Sequence, residues 1–141
     1  MQPLIEKNWE GVVFIPYRCT NAGIEFYLQK RDKNAPTHAN IFSMFGGKME
    51  QGEQPLEALY REVKEELTYE PKHPIYFSRF ETAHAVFHVF IEEVDGTFES
   101  LVNVIEGEYG AFLPFARIDH AIDVSDIAAM ITRAMRAHFS K

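Results

Sequence analysis

A single cysteine, Cys19, is all the thiol this chain of 141 residues contains. One thiol excludes an internal disulfide and a cysteine-held structural zinc, and it fits a reducing compartment. Cys19 itself is expected to be a small, partly buried hydrophobe. Basic side chains are also scarce: 14 Lys and Arg stand against 21 Asp and Glu, for a formal charge of −7. That balance argues against a polynucleotide partner, because binding to a phosphate backbone gains its affinity from Lys and Arg displacing counterions. No stretch approaches the roughly 20 apolar residues of a membrane helix. The opening Met1–Lys7 lacks the basic and long apolar segments of a secretory leader. These absences predict a cytoplasmic protein, monomer or homodimer, that touches neither membrane nor polynucleotide. A small phosphate compound remains compatible with the acidity, provided divalent cations stand between carboxylates and phosphates.

Hydrophobic residues make up 46% and charged ones 25%, the balance of a folded globular chain. No repeat, low-complexity tract or linker interrupts it, so residues 1–141 are read as one domain. Gly11–Tyr17 and Ile24–Gln29, separated by the turn signal Asn21-Ala22-Gly23, read as hairpin strands. Asp32–Asn40 is polar, carries Pro36 and reads as a loop, and a brief apolar segment Ile41–Phe45 then runs into Gly46-Gly47. From Pro55 to Leu67 the period changes to 3.6, with Leu56, Leu59, Val63 and Leu67 on one stripe and Pro55 at a first helical position. Pro71 and Pro74 end that helix. Strands are predicted at Ile75–Glu81 and His84–Glu93, and Asp95-Gly96 predicts a hairpin turn into a strand over Thr97–Val104. After an apolar run at Ala111–Phe115, a last helix over Asp123–Phe139 carries Ile127, Met130, Ile131 and Ala134 at helical spacing behind a cap at Asp123 or Ser125.

The chemistry concentrates between Gly46 and Tyr69. On a helix, Glu62, Glu65 and Glu66 are related by i+3 and i+4 and are expected to share a face distinct from the leucine stripe. Three like charges on adjacent turns repel, and taken alone they read as a solvated helix face. A hard divalent cation reverses the sign of that repulsion and leaves coordination sites for phosphate and water. Gly46-Gly47 supplies backbone that approaches closely, with a carbonyl available as a further ligand. Glu53 and Arg61 form a carboxylate and guanidinium pair suited to bracing the loop onto the helix.

Gly47, Glu53, Arg61, Glu62, Val63, Glu65 and Glu66 fall without a gap on the box of the Nudix hydrolases, which the sequence resembles. Two positions depart from it: Thr68 replaces the usual Gly, and Tyr69 stands where an aliphatic is expected. Glycine permits a left-handed helix cap that a β-branched residue resists, so the exit turn is expected to differ. The resemblance implies an α/β/α sandwich, a mixed sheet between helices in an α/β (α+β) fold. It implies Mg²⁺ or Mn²⁺ on Glu62, Glu65 and Glu66, with the Gly46 carbonyl as a further ligand. It makes Glu62 the base acting on water, and it has Glu53 and Arg61 orienting the metal helix. A further acid is expected in the loop before the closing strand, Glu106 in preference to Glu108. Arg31 sits where relatives place a basic residue near substrate, suited to gripping a phosphate.

Other residues read more plainly. His84 and His88 alternate on a strand and are expected to be half-exposed rather than metal ligands, with no third nitrogen or sulfur nearby. Trp9, Phe45 and Phe112 are capable of stacking on a base but read as core. The implied reaction is hydrolysis of a diphosphate linkage, first among nucleoside triphosphates to give a nucleoside monophosphate and pyrophosphate. Nucleotide sugars and dinucleoside polyphosphates are the alternatives. An isopentenyl diphosphate isomerase needs a catalytic cysteine that Cys19 matches poorly, and a Nudix-like sensor that binds without cleaving typically loses the box glutamates kept here.

Overall fold

The computed structural model describes residues 8–36 and 39–140. The opening segment read for a leader, and Thr37 and His38 of the predicted 32–40 loop, lie outside the described residues.

Two long strands, β1 (Trp9–Thr20) and β2 (Gly23–Lys30), pair antiparallel only near their turn, where Tyr17–Thr20 faces Gly23–Phe26. Beyond that they diverge. The two-residue β3 (Phe42–Ser43) pairs with the far end of β2, and β4 (Phe45–Lys48) takes the freed edge of β1 through Gly11–Phe14. The apolar segment read at Ile41–Phe45 is therefore divided between two strands, with the glycines inside the second. Helix α1 (Pro55–Leu67) follows directly. Then β5 (Ile75–Glu81) and β6 (Ala85–Glu93) form a hairpin, and β6 lies parallel to β1 over nine residue pairs. The chain continues through a single turn, α2 (Phe98–Leu101), to β7 (Tyr109–Pro114), which pairs with the other side of β2. It ends in α3 (Phe115–Ile118) and α4 (Asp126–Phe139).

Successive side chains on a strand point to opposite faces, and here both faces are covered. Val12, Phe14, Tyr27, Phe45 and Phe90 pack against Ala58, Leu59, Val63 and Leu67 of α1. Val13, Ile15, Phe26, Leu28, Val89 and Ile91 pack against Ile118 of α3 and Ala128, Ile131 and Met135 of α4. This is the α/β/α sandwich read from the sequence. Among the described residues no helix is long and apolar enough to cross a membrane.

Several local expectations are corrected. The strand over Thr97–Val104 does not form. Asp95 Oδ1 accepts from both the backbone N–H and the hydroxyl of Thr97, which starts a helical turn, and Phe98 plugs into Tyr27, Tyr69 and Phe112. The backbone beyond then caps α1: Asn103 N–H donates to the Leu67 carbonyl at 2.9 Å and Ile105 N–H to that of Glu66 at 2.8 Å. On α4, capped by Ser125, the buried stripe is Ala128, Ile131, Thr132 and Met135, while Met130 is exposed. Leu56, in the first turn of α1, is also exposed. Cys19 lies on the hairpin and is exposed rather than partly buried.

His84 falls just before β6 and is exposed, but His88 is buried. Glu10 and Tyr76 hold it on either side at 2.5 and 2.6 Å. A carboxylate only accepts, so Nε2 carries the hydrogen toward Glu10, and Tyr76 Oη pairs with Nδ1. Of the three aromatics read as core, Phe45 is fully buried; Trp9 and Phe112 are half-buried, packed on Phe87 and on Tyr27 with Phe98 respectively.

Candidate active site

The divergence of β1 from β2 places β4 against the middle of the sheet and under α1. Gly46 sits there at φ +146°, where a Cβ would lie 2.0 Å from the Val12 carbonyl oxygen. Its N–H donates to Glu66 Oε2 at 2.9 Å. A Cβ on Gly47 would meet the Glu62 carboxyl carbon at 2.5 Å. Gly46 is thus required by backbone geometry, whereas a side chain at Gly47 would displace the Glu62 carboxylate that rests against it.

Arg61 makes four hydrogen bonds to three carbonyl or carboxylate groups. Nε and Nη2 reach the two Glu53 oxygens at 2.7 and 2.8 Å, Nη2 also reaches the Lys48 carbonyl, and Nη1 meets Glu62 Oε1 at 2.8 Å. Glu53 in turn accepts from the Glu50 N–H. The bidentate pair holds the Glu53 carboxyl down to about 2, its hydrogen bonds with Arg61 being the main cause. The loop between β4 and α1 is therefore tied to the helix as the sequence predicts.

The three helix glutamates do not share one environment. Glu66 is seven residues from Leu59 and so lies within about 20° of it around the helix; it is buried, inside the apolar arc rather than apart from it. Glu62 is half-buried, while the Glu65 side chain is 61% exposed and 3.6 Å from Arg61. Glu106 is within hydrogen-bonding reach of Glu66, and it bears electrostatically on both Glu66 and Glu62. Glu108 turns instead toward Lys30 Nζ at 4.0 Å. Glu106 is thus the loop acid that joins the helix acids. Among the described residues no three His, Cys, Asp or Glu side chains stand in a ready-made coordination shell, since Arg61 draws on Glu62 and Glu65 while Gly46 draws on Glu66.

Arg31 follows β2, its N–H held by the Ile41 carbonyl at 2.9 Å. It lines a cleft of about 610 Å³ between the 31–36 and 105–108 segments, and Glu106 stands in the same wall. Gln29 is a lining residue that the sequence reading passed over. The signal was present, because strand alternation places Gln29 on the face of Tyr27, a buried position for a polar group.

The family model for the NUDIX domain matches residues 9–133. The chain belongs to the NUDIX family. It is a pyrophosphohydrolase of that family, whose members act on nucleoside diphosphate derivatives. Its fold is similar to that of a MutT protein from Methanosarcina mazei, with 21% identity, coverage of 99% of this chain and 100% of that one, and a TM-score of 0.73. Another similar structure is the NUDIX domain of Shewanella oneidensis NrtR, solved in complex with ADP ribose: 12% identity, coverage of 94% and 88%, TM-score 0.69. A MutT from Aliivibrio salmonicida or Vibrio cholerae shares 23% identity over 79% of this chain and 83% of its own, with a TM-score of 0.61. No curated protein matches the sequence.

The two departures in the Nudix box are absorbed differently. Thr68 adopts the left-handed conformation itself, φ 50° and ψ 35°, with its N–H on the Lys64 carbonyl. The expected change of exit turn does not occur, and a residue that resists this conformation bears its cost. Tyr69 turns into the core between Phe14 and Phe98 and donates its hydroxyl to the buried Glu92.

The Nudix acids are an all-oxygen donor set packed more densely than like charges tolerate, which suits a hard divalent cation. Burial, followed by Glu106 and Glu62, pushes Glu66 from 4.5 up to about 8 against the pull of the Gly46 N–H. The folded protein therefore keeps a proton that the unfolded chain has released between those values, and folding stability falls as pH rises across that window. Thermal denaturation in EDTA should show the midpoint falling from pH 5 to pH 8, by the equivalent of about a few kcal/mol at ~1.4 kcal/mol per pKa unit. Glu66→Gln should flatten the slope, and Mg²⁺ should raise the midpoint more at pH 8 than at pH 5. A cation effect independent of pH would contradict this account of Glu66.

Proposed function

We propose that the protein is a Mg²⁺- or Mn²⁺-dependent pyrophosphohydrolase that converts a nucleoside triphosphate to the monophosphate and pyrophosphate. The observation that carries this reading is the juxtaposition of Glu62 and Glu66 with Glu106, which stands in the wall of the cleft that Arg31 also lines. Glu62, Glu65 and Glu66, with the Gly46 carbonyl and Glu106, are the groups that would hold the cation. When bound, the cation neutralises the diphosphate and lowers the pKa of water. Glu62 is the base: it takes the proton as the water oxygen bonds to phosphorus, the bridging P–O bond breaks, and pyrophosphate leaves. Burial raises the Glu62 carboxyl above its ordinary range, which makes it a stronger base than an exposed glutamate. Arg61 and Glu53 keep the helix and the glycine strand in register, and Arg31 grips a phosphate.

A second reading is a nucleoside diphosphate sugar as substrate. It is favoured by the ADP ribose bound to the NrtR domain and by a cleft lined with acids and bases together. Incubation with nucleoside triphosphates, nucleotide sugars and dinucleoside polyphosphates, each with Mg²⁺, Mn²⁺ or EDTA, separates the readings when products are resolved by mass. Monophosphate and pyrophosphate formed from a triphosphate only with metal is the expected result. Tight nucleotide binding with no product under any condition would make the protein a sensor.

A further inference from the structure

Glu106 is the one member of the acid cluster that does not ride on α1, so something other than helix geometry must set its position. The residues before and after it are held by backbone. Ile105 N–H donates to the Glu66 carbonyl and Glu108 N–H to the Lys30 carbonyl, each at 2.8 Å. Between these two ties the Glu106 carbonyl accepts from Gln29 Nε2 at 2.7 Å. Gln29 is only 3% exposed, so its amide has few partners to exchange for this one. Gly107, at φ +85°, leaves no room for a side chain: a Cβ would stand 2.7 Å from the Lys30 carbonyl oxygen and 2.9 Å from Gln29 Cγ. The turn is thus seated directly on the Gln29 side chain.

We propose that Gln29 is a positioning residue that fixes the Glu106 carboxylate beside Glu66 and so sets the affinity of the acid cluster for a divalent cation. The inference rests on the proposed metal site and extends it to a residue that touches neither cation nor the reacting phosphorus. Each flanking tie fixes one end of a short turn, but the peptide between them remains free to rotate about its own ends. The amide hydrogen bond removes that freedom, which is how groups behind a metal ligand tune affinity. A structural role alone, satisfying a buried amide, would lower stability and leave cation affinity unchanged.

The test is Mn²⁺ titration of the full chain without substrate, followed by electron paramagnetic resonance of the free ion. Gln29→Met keeps the length and removes the donor, while Gln29→Glu keeps the shape and places an acceptor against an acceptor. Both should weaken Mn²⁺ binding about tenfold or more, the usual range for an orienting partner. Amide exchange at 105–108 should quicken in both variants without metal. Glu106→Gln should weaken binding as well, and adding Gln29→Met to it should cause little further loss, since both changes act through one carboxylate. Wild-type Mn²⁺ affinity in both Gln29 variants would overturn the proposal, as would fully additive losses in the double variant. Should Glu62→Gln and Glu66→Gln also bind Mn²⁺ like wild type, the metal site itself would fall. Loss in those two with none in the Gln29 variants would remove only the role of Gln29.

Discussion

Glu62→Gln is expected to lower Mg²⁺-dependent turnover by about 10²–10⁴-fold, the range associated with losing a general base, without weakening the fold. The substitution preserves shape, so the contact with Gly47 survives and an amide oxygen still accepts from Arg61 Nη1. What is lost is one negative charge among Glu65, Glu66 and Glu106, and with it the ability to take a proton from water. In the cation-free protein that charge is a burden, because burial and the neighbouring Glu65 and Glu106 all raise the Glu62 carboxyl. The melting temperature in EDTA should therefore stay level or rise while activity collapses. Opposed movements of stability and turnover mark a residue kept for chemistry. Steady-state rates and melting curves measured on one preparation check both arms; a variant that turns over at the wild-type rate would remove Glu62 from the mechanism.

The largest stability loss should come from Glu92→Ala, about 3–5 kcal/mol, seen as a drop in melting temperature on the order of 10 °C or more. Glu92 is completely buried on β6. Its carboxylate accepts from Tyr69 Oη at 2.6 Å and from the backbone N–H groups of Lys72 and His73, both at 2.8 Å. These bonds pin the segment leaving α1 onto the sheet, and alanine would strand one buried and two part-buried donors at once. Burial, and then Glu92 itself, already push the Tyr69 hydroxyl above its ordinary range, so the proton stays on the tyrosine. Tyr69→Phe should cost only about 1 kcal/mol, the value of one hydrogen bond. Urea denaturation distinguishes the cases, and a Glu92→Ala protein within 1 kcal/mol of wild type would refute this account of the segment.

Tyr69 also shows why a departure from a motif is legible in sequence while its meaning is not. The position calls for an apolar side chain, and Tyr69 supplies a ring to the core. Its hydroxyl is tolerable only because a glutamate 23 residues later arrives beneath it. Thr68 is similar. A β-branched residue at a helix end predicts a different turn, yet the hydrogen bonds from Asn103 and Ile105 to the last carbonyls of α1 hold the helix end in place around it. The Thr97–Val104 strand failed for a related reason, because alternation within a short segment cannot reveal that its backbone donors are taken by a helix terminus.

Local sequence pattern determined much of this protein. The apolar runs of β1 and β6 and the 3.6 period of α1 placed the sandwich layers, and the spacing of Glu53 and Arg61 tied the loop to the helix, because contacts over one or two turns follow from backbone geometry alone. Tertiary packing decided how each acid behaves. Glu66 is buried and Glu65 exposed according to which arc of α1 the sheet covers, a choice that depends on β4 entering between the diverging β1 and β2. Glu106 reaches Glu66 only through ties to Gln29, Lys30 and the end of α1. Those partners lie tens of residues away, and such pairings form only when distant backbone is folded together, beyond the reach of any short sequence window.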